Sequence, residues 1–146
     1  MRQVISSKTS DTMRTLLEGV VSKGTGKNAY VPGYRVGGKT GTSEKRDKEV
    51  AEGGKYYIAS FLGVAPMDDP QVAVLVLLDE PTGALHQGGQ IAAPVVGRIM
   101  SDILPYLGVQ PVYSDADRAR LAMSVPLVVG GDKGWAQTVL KQQGFT

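Results

Sequence analysis

Residues 34–42, Tyr34-Arg35-Val36-Gly37-Gly38-Lys39-Thr40-Gly41-Thr42, decide how the rest of this chain is read. Tyr, Val and Thr favour extended backbone, and the three glycines among them lack the Cβ that keeps a neighbouring group at a distance. The combination predicts a strand that something approaches closely from one side. Upstream, Met13, Leu16, Leu17, Val20 and Val21 recur at helical spacing and predict a helix from Ser10, capped by Thr9 or Ser10 and ended by Gly24 in a left-handed turn. Residues 24–32 read as a loop. Downstream, residues 43–54 are almost entirely charged and close on Gly53 and Gly54, the pattern of a solvated connecting loop.

Two further strands are expected, at residues 56–64 (YYIASFLGV) and 72–78 (VAVLVLL), joined by the turn Pro66-Met67-Asp68-Asp69-Pro70. So short a connection implies an antiparallel hairpin. The second run is apolar without alternation, which predicts a strand covered on both faces. Val95, Val96, Ile99, Met100, Ile103, Leu104 and Leu107 then mark an amphipathic helix, with Pro94 in its first turn and Gly108 at its exit. Residues 109–123 turn polar and read as a linker. Val125-Pro126 and Gly130 lead into a short helical pattern, Ala136, Val139 and Leu140, onto which Trp135 is expected to pack.

Composition removes several classes of function. The chain has 146 residues, 42% hydrophobic and 21% charged, the size of one ordinary globular domain. Its net charge of +2 comes from scattered rather than clustered basic residues, so no nucleic acid partner is expected. With no cysteine and one histidine, His86, there is neither a thiol nucleophile nor the ligand set of a zinc site, and no metal or cofactor is expected. No apolar run is long enough to span a membrane and the N-terminus lacks an apolar signal core, so the chain as given is expected to be soluble. His86 has no acid nearby in sequence and reads as a surface residue. Asp79 and Glu80 read as loop solvation rather than metal ligands.

Two strings imitate nucleotide sites. Gly33, Gly38, Lys39 and Thr40 fit G-x-x-x-x-G-K-T, and residues 72–80 imitate its magnesium-binding strand, which makes a P-loop nucleotide hydrolase a distant alternative. That chemistry needs a buried strand before the loop and a helix N-terminus directly after it. Residues 27–32 are too polar for the first, and residues 41–52 offer only Val50 and Ala51 as an apolar face for the second. Gly24, Gly26 and Ala29 fit a dinucleotide fingerprint, but with the helix placed before the glycines instead of after them.

Lys39-Thr40-Gly41-Thr42 on a strand is the stronger reading of the same lysine, because K-T-G marks serine β-lactamases and penicillin-binding proteins. The likeness continues through Glu18-Gly19-Val20-Val21, Gly24-Thr25-Gly26, Val31-Pro32-Gly33-Tyr34, Phe61-Leu62-Gly63, Ala65-Pro66 and Gly88-Gly89-Gln90-Ile91-Ala92-Ala93-Pro94. Residues 1–108 thus resemble the C-terminal part of a class B penicillin-binding protein, a peptidoglycan D,D-transpeptidase. Residues 124–146 resemble the start of a PASTA module, after a linker at 109–123.

The resemblance implies an α+β fold: part of the penicillin-binding-protein and serine β-lactamase-like transpeptidase fold, with an antiparallel sheet of three strands flanked by an N-terminal and a C-terminal helix. It implies that Lys39 supplies a fixed positive charge, that Thr40 and Thr42 hold a substrate carboxylate, that the Thr42 N–H is an oxyanion donor, and that Gly41 admits an extended peptide. The implied ligands are D-Ala-D-Ala stem peptides and β-lactams. The family's nucleophile motif S-x-x-K and its S-x-N motif occur nowhere in the sequence. The chain alone is therefore expected to be inactive and to need the missing N-terminal part of a parent protein anchored at the extracytoplasmic face of the membrane. Apolar surface meant for that part would be left bare, so self-association is expected. A non-catalytic wall-binding module is the alternative.

Overall fold

The structure, a computed structural model, describes residues 3–121 and 132–142. Helix α1 (Ser7–Ser22) starts earlier than the apolar stripe, because the Ser6 hydroxyl accepts the Thr9 N–H at 3.1 Å. Its first turn carries no apolar residue, so periodicity could not reveal it. Val21 is buried, but Met13 and Leu16, at the other end of the stripe, are exposed. Gly24 does not enter the left-handed region; the helix closes through the N–H groups of Lys23 and Gly24 on the carbonyls of Gly19 and Val20.

Three strands, β1 (Gly37–Glu44), β2 (Tyr57–Ala65) and β3 (Val72–Asp79), form an antiparallel sheet in the order β1-β2-β3. The register pairs Thr40 with Phe61 and Phe61 with Val76, and places Lys39, Leu62 and Leu75 in one row on the opposite face. Helix α4 (Ala93–Tyr106) covers the first of these faces. Phe61, Ala65, Val96, Met100 and Leu104 are buried together there, with Val72, Val74, Val76 and Leu78 packed against them. Pro94 stands in the first turn of α4, and Gly108 leaves the helix at φ 75°, a conformation that glycine adopts without a steric cost.

Two expectations fail here. β3 is not covered on both faces: its residues alternate between half-buried and exposed, and Leu75 and Leu77 stand 63% and 55% exposed. An unbroken apolar run records which residue types a strand carries, not which of its faces has a neighbour. Nor are residues 43–54 all loop. β1 continues through Glu44, and Arg46–Glu52 form helix α2, in which Lys48 lies 3.8 Å from Glu52 one turn on.

The chain divides into two units, residues 1–112 and 113–146. Val109 packs on the first unit's core and the Val112 N–H donates to the Gly33 carbonyl at 2.8 Å, so that unit runs past Gly108 into the expected linker. In the second unit α5 (Asp115–Leu121) occupies most of the rest of that linker. Ser114 and Asp117 cap it reciprocally: the Ser114 N–H donates to Asp117 Oδ2 at 2.9 Å, and the Asp117 N–H to Ser114 Oγ at 3.1 Å. α6 (Lys133–Gln142) matches the expected tail helix; Asp132 accepts the Trp135 N–H at its start, and the indole is 46% exposed rather than packed away. Residues 124–131, with the Val125-Pro126 pair, lie outside the described residues.

Candidate active site

β1 pairs with β2 along one edge, and its other edge carries no strand among the described residues. Alternation sends Thr40 and Thr42 to the face shared with Phe61, and Lys39 and Gly41 to the other. On the threonine side the 3₁₀ turn Lys27–Ala29, the start of α3 (Gly88–Ile91) and the end of the sheet enclose a cleft of about 820 Å³. Thr25, Asn28, Thr40, Thr42, Tyr57 and His86 line it, together with Lys27, Glu44 and Arg46.

The wall is held by polar contacts to backbone. The Gly88 N–H donates to Thr42 Oγ1 at 3.2 Å, Asn28 Nδ2 donates to the Gly89 carbonyl at 2.8 Å, and the hydroxyls of Thr25 and Thr40 lie 3.4 Å apart. Gly88 is obligatory on geometry: a Cβ there would land on the carbonyl oxygens of Ser60 and Gly41. A Cβ on Gly41 would meet the Ser60 hydroxyl across the strand pair.

Of the residues singled out in sequence, Thr40 and Thr42 reach the cleft, while Lys39 and Gly41 do not line it. Lys39 is exposed, and its Nζ donates to the Thr40 carbonyl at 2.8 Å. His86 is not a bare surface residue. Its ring stacks on Tyr57 with centroids 4.0 Å apart and planes 15° from parallel, and both residues line the cleft. Nothing in the spacing of a lone histidine points to a tyrosine so far upstream. Asp79 and Glu80 do more than solvate a loop: Lys45 Nζ lies 2.6 Å from Asp79 Oδ1 and 2.8 Å from Glu80 Oε1, and Lys48 Nζ lies 2.6 Å from Glu80 Oε2. The bonds from Lys45 and then Lys48 hold the Glu80 carboxyl below the usual carboxylate value, and those to Asp79 and then Glu80 hold the Lys45 ammonium above its own. Among the described residues no cluster of acids and histidine has the make-up of a metal site.

The nucleotide readings end at this geometry. Lys39 and Thr40 sit inside an antiparallel strand that continues through Glu44, so no helix N-terminus follows the lysine to receive phosphates. Residues 1–101 match the family described as the penicillin-binding protein transpeptidase domain. The chain belongs to this family. Within it, Stage V sporulation protein D of Bacillus subtilis is 48% identical over 138 aligned residues, covering 88% of this chain and 21% of that protein. A peptidoglycan D,D-transpeptidase FtsI homolog of Chlorokybus atmophyticus is 37% identical and is covered to 16% of its length. The apo transpeptidase domain of penicillin-binding protein 3 from Burkholderia pseudomallei superposes with a TM-score of 0.65 at 47% identity, over 75% of this chain and 33% of that one. The chain spans about a fifth of the length of the curated relatives it matches. Its α+β transpeptidase-domain fold, with a three-stranded antiparallel sheet, is the one its sequence implies.

Proposed function

We propose that this chain is the K-T-G-T part of a peptidoglycan D,D-transpeptidase that crosslinks stem peptides by serine acyl transfer, and that it requires a nucleophile from a segment carrying S-x-x-K and S-x-N. The observation that carries this reading is the free edge of β1 beside the threonine-lined cleft. An extended peptide can add to such an edge through backbone hydrogen bonds. The hydroxyls of Thr40 and Thr42 then bond its terminal carboxylate, Lys39 contributes positive charge from the opposite face of the strand, and the Thr42 N–H stabilises the oxyanion. A β-lactam takes the place of the D-Ala-D-Ala amide. The parent is an enzyme of the extracytoplasmic membrane face. In this chain, among the described residues, no helix is long and apolar enough to cross a membrane.

Fluorescent penicillin tests the proposal. The chain alone stays unlabelled; co-expressed with a polypeptide that carries the two absent motifs, it assembles a complex that labels at the added serine. Thr42→Val and Lys39→Ala in this chain each lower the labelling rate at least about tenfold, the scale of losing one oxyanion-type or charged partner. Labelling of the chain by itself, or assembly with labelling indifferent to both substitutions, overturns it.

For the tail we propose a PASTA-like module at residues 124–146. It is supported by the division of the chain after Val112 and by a Bacillus subtilis match that covers more of the chain than the first unit contains. The same separateness favours the second reading, a non-catalytic wall-binding module. Retention on purified sacculi that is lost on deleting residues 124–146 and unchanged in Lys39→Ala supports this second reading over the first.

A further inference from the structure

Glu80 is the only described non-glycine residue with a positive φ, 51°. A side chain is held in that region only where its surroundings over-determine it. Three contacts do so here. The Glu80 N–H donates to the Tyr57 carbonyl at 2.9 Å, and its two carboxylate oxygens take different lysines, Lys45 at 2.8 Å and Lys48 at 2.6 Å. Both lysines belong to the segment between β1 and β2. Lys45 stands at its start, with its N–H on the Tyr56 carbonyl at 2.8 Å, and Lys48 lies within α2 with its ammonium 4.4 Å from the Tyr56 ring centroid.

Arg46, Asp47, Ala51 and Glu52 are exposed, and no described side chain of α2 is buried. Charge ties the helix to the end of β3, through Glu80 with Asp79 assisting on Lys45. These pairs are half-buried, with the Lys45, Lys48 and Glu80 side chains 26–31% exposed, so salt screens them in part, and a fastening made of them opens more readily than the apolar core. Its opening has a consequence for the site. Arg46 borders the cleft from α2, whereas the Tyr57–His86 stack borders it from β2 and from the approach to α3.

We propose that residues 45–56 form a strap beside the cleft, bolted by Glu80, and that releasing the bolt withdraws Arg46 from the cleft wall and opens the side it lines. The cleft then has two states, one walled by a guanidinium and one open beside the aromatic stack. The strap is independent of what the cleft binds, so its test does not depend on the transpeptidase reading.

Amide hydrogen exchange on the whole chain provides the test. In the wild type at low salt, the amides of residues 48–52 are protected, and raising the salt to about 0.5 M speeds their exchange about tenfold while β2 and α4 are unchanged. Glu80→Gln shows the fast exchange already at low salt. Glu80→Gly relieves the left-handed strain, so its melting temperature equals or exceeds that of the wild type, yet it loses the same protection at 48–52. This pairing of a sound fold with a freed strap is not what a merely structural glutamate would give. The proposal is overturned if the wild type shows no protection at 48–52, if protection ignores salt and persists in both variants, or if it is lost only together with β2 and α4.

Discussion

Gly88 and Phe61 show how closely the site depends on individual atoms. Because a Cβ at 88 would fall on two carbonyl oxygens of the sheet rather than on a yielding side chain, Gly88→Ala is expected to cost about 2 kcal/mol or more, read from urea unfolding followed by circular dichroism. Phe61 is fully buried beneath the threonine face, so Phe61→Ala is expected to cost about 3–5 kcal/mol by the same measurement. Leu75→Ala, at a residue 63% exposed, is expected to change stability by less than about 0.5 kcal/mol. The K-T-G-T run could be read from sequence because its residue types are local. The partners that complete the wall could not. Ser60 opposite Gly41, Asn28 on Gly89 and Tyr57 under His86 are neighbours only once strands pair and loops close.

At the scale of elements, α1 and α4 were legible from apolar residues at helical spacing, β2 and β3 from runs of β-forming residues bounded by turn residues, and β1 from β-formers mixed with glycine. α2 and α5 were not, since charge and capping rather than apolar burial define them. The Ser114-x-x-Asp117 box was there to be read, inside a segment whose polar composition pointed to a linker. Charge also ties α1 to the approach to β1. Arg35 donates to Glu18 through Nε at 2.8 Å and Nη2 at 2.6 Å, and this pairing above all lowers the Glu18 carboxyl below its ordinary value of 4.5. A carboxyl whose folded value is depressed binds its proton more readily in the unfolded chain. Its stabilisation is therefore complete above the unfolded value near 4.5 and is lost as pH falls through the lower folded value. The melting temperature of the wild type is expected to exceed that of Glu18→Gln at neutral pH, and the gap should close on acidification below 4.5. A gap that stays constant with pH would show that Glu18 acts through packing instead.

On the scale of the molecule, the first unit leaves the sheet face of Lys39, Leu62, Leu75 and Leu77 uncovered, with the three leucines 42%, 63% and 55% exposed. Contiguous apolar side chains on one flat face favour association. Light scattering at micromolar concentration is expected to find dimers or larger species, and Leu75→Lys is expected to shift them towards monomer; a wild-type monomer would contradict this. Trp135 has a separate consequence for such experiments. It is the only tryptophan in the chain and stands on α6 in the second unit, whereas five of the six tyrosines lie in the first. Selectively excited indole emission therefore originates in the second unit, while the cleft-bearing sheet lies in the first. Tyrosine emission comes mostly from the first unit, and a midpoint that differs from that of the indole would show that the chain does not unfold in a single two-state transition.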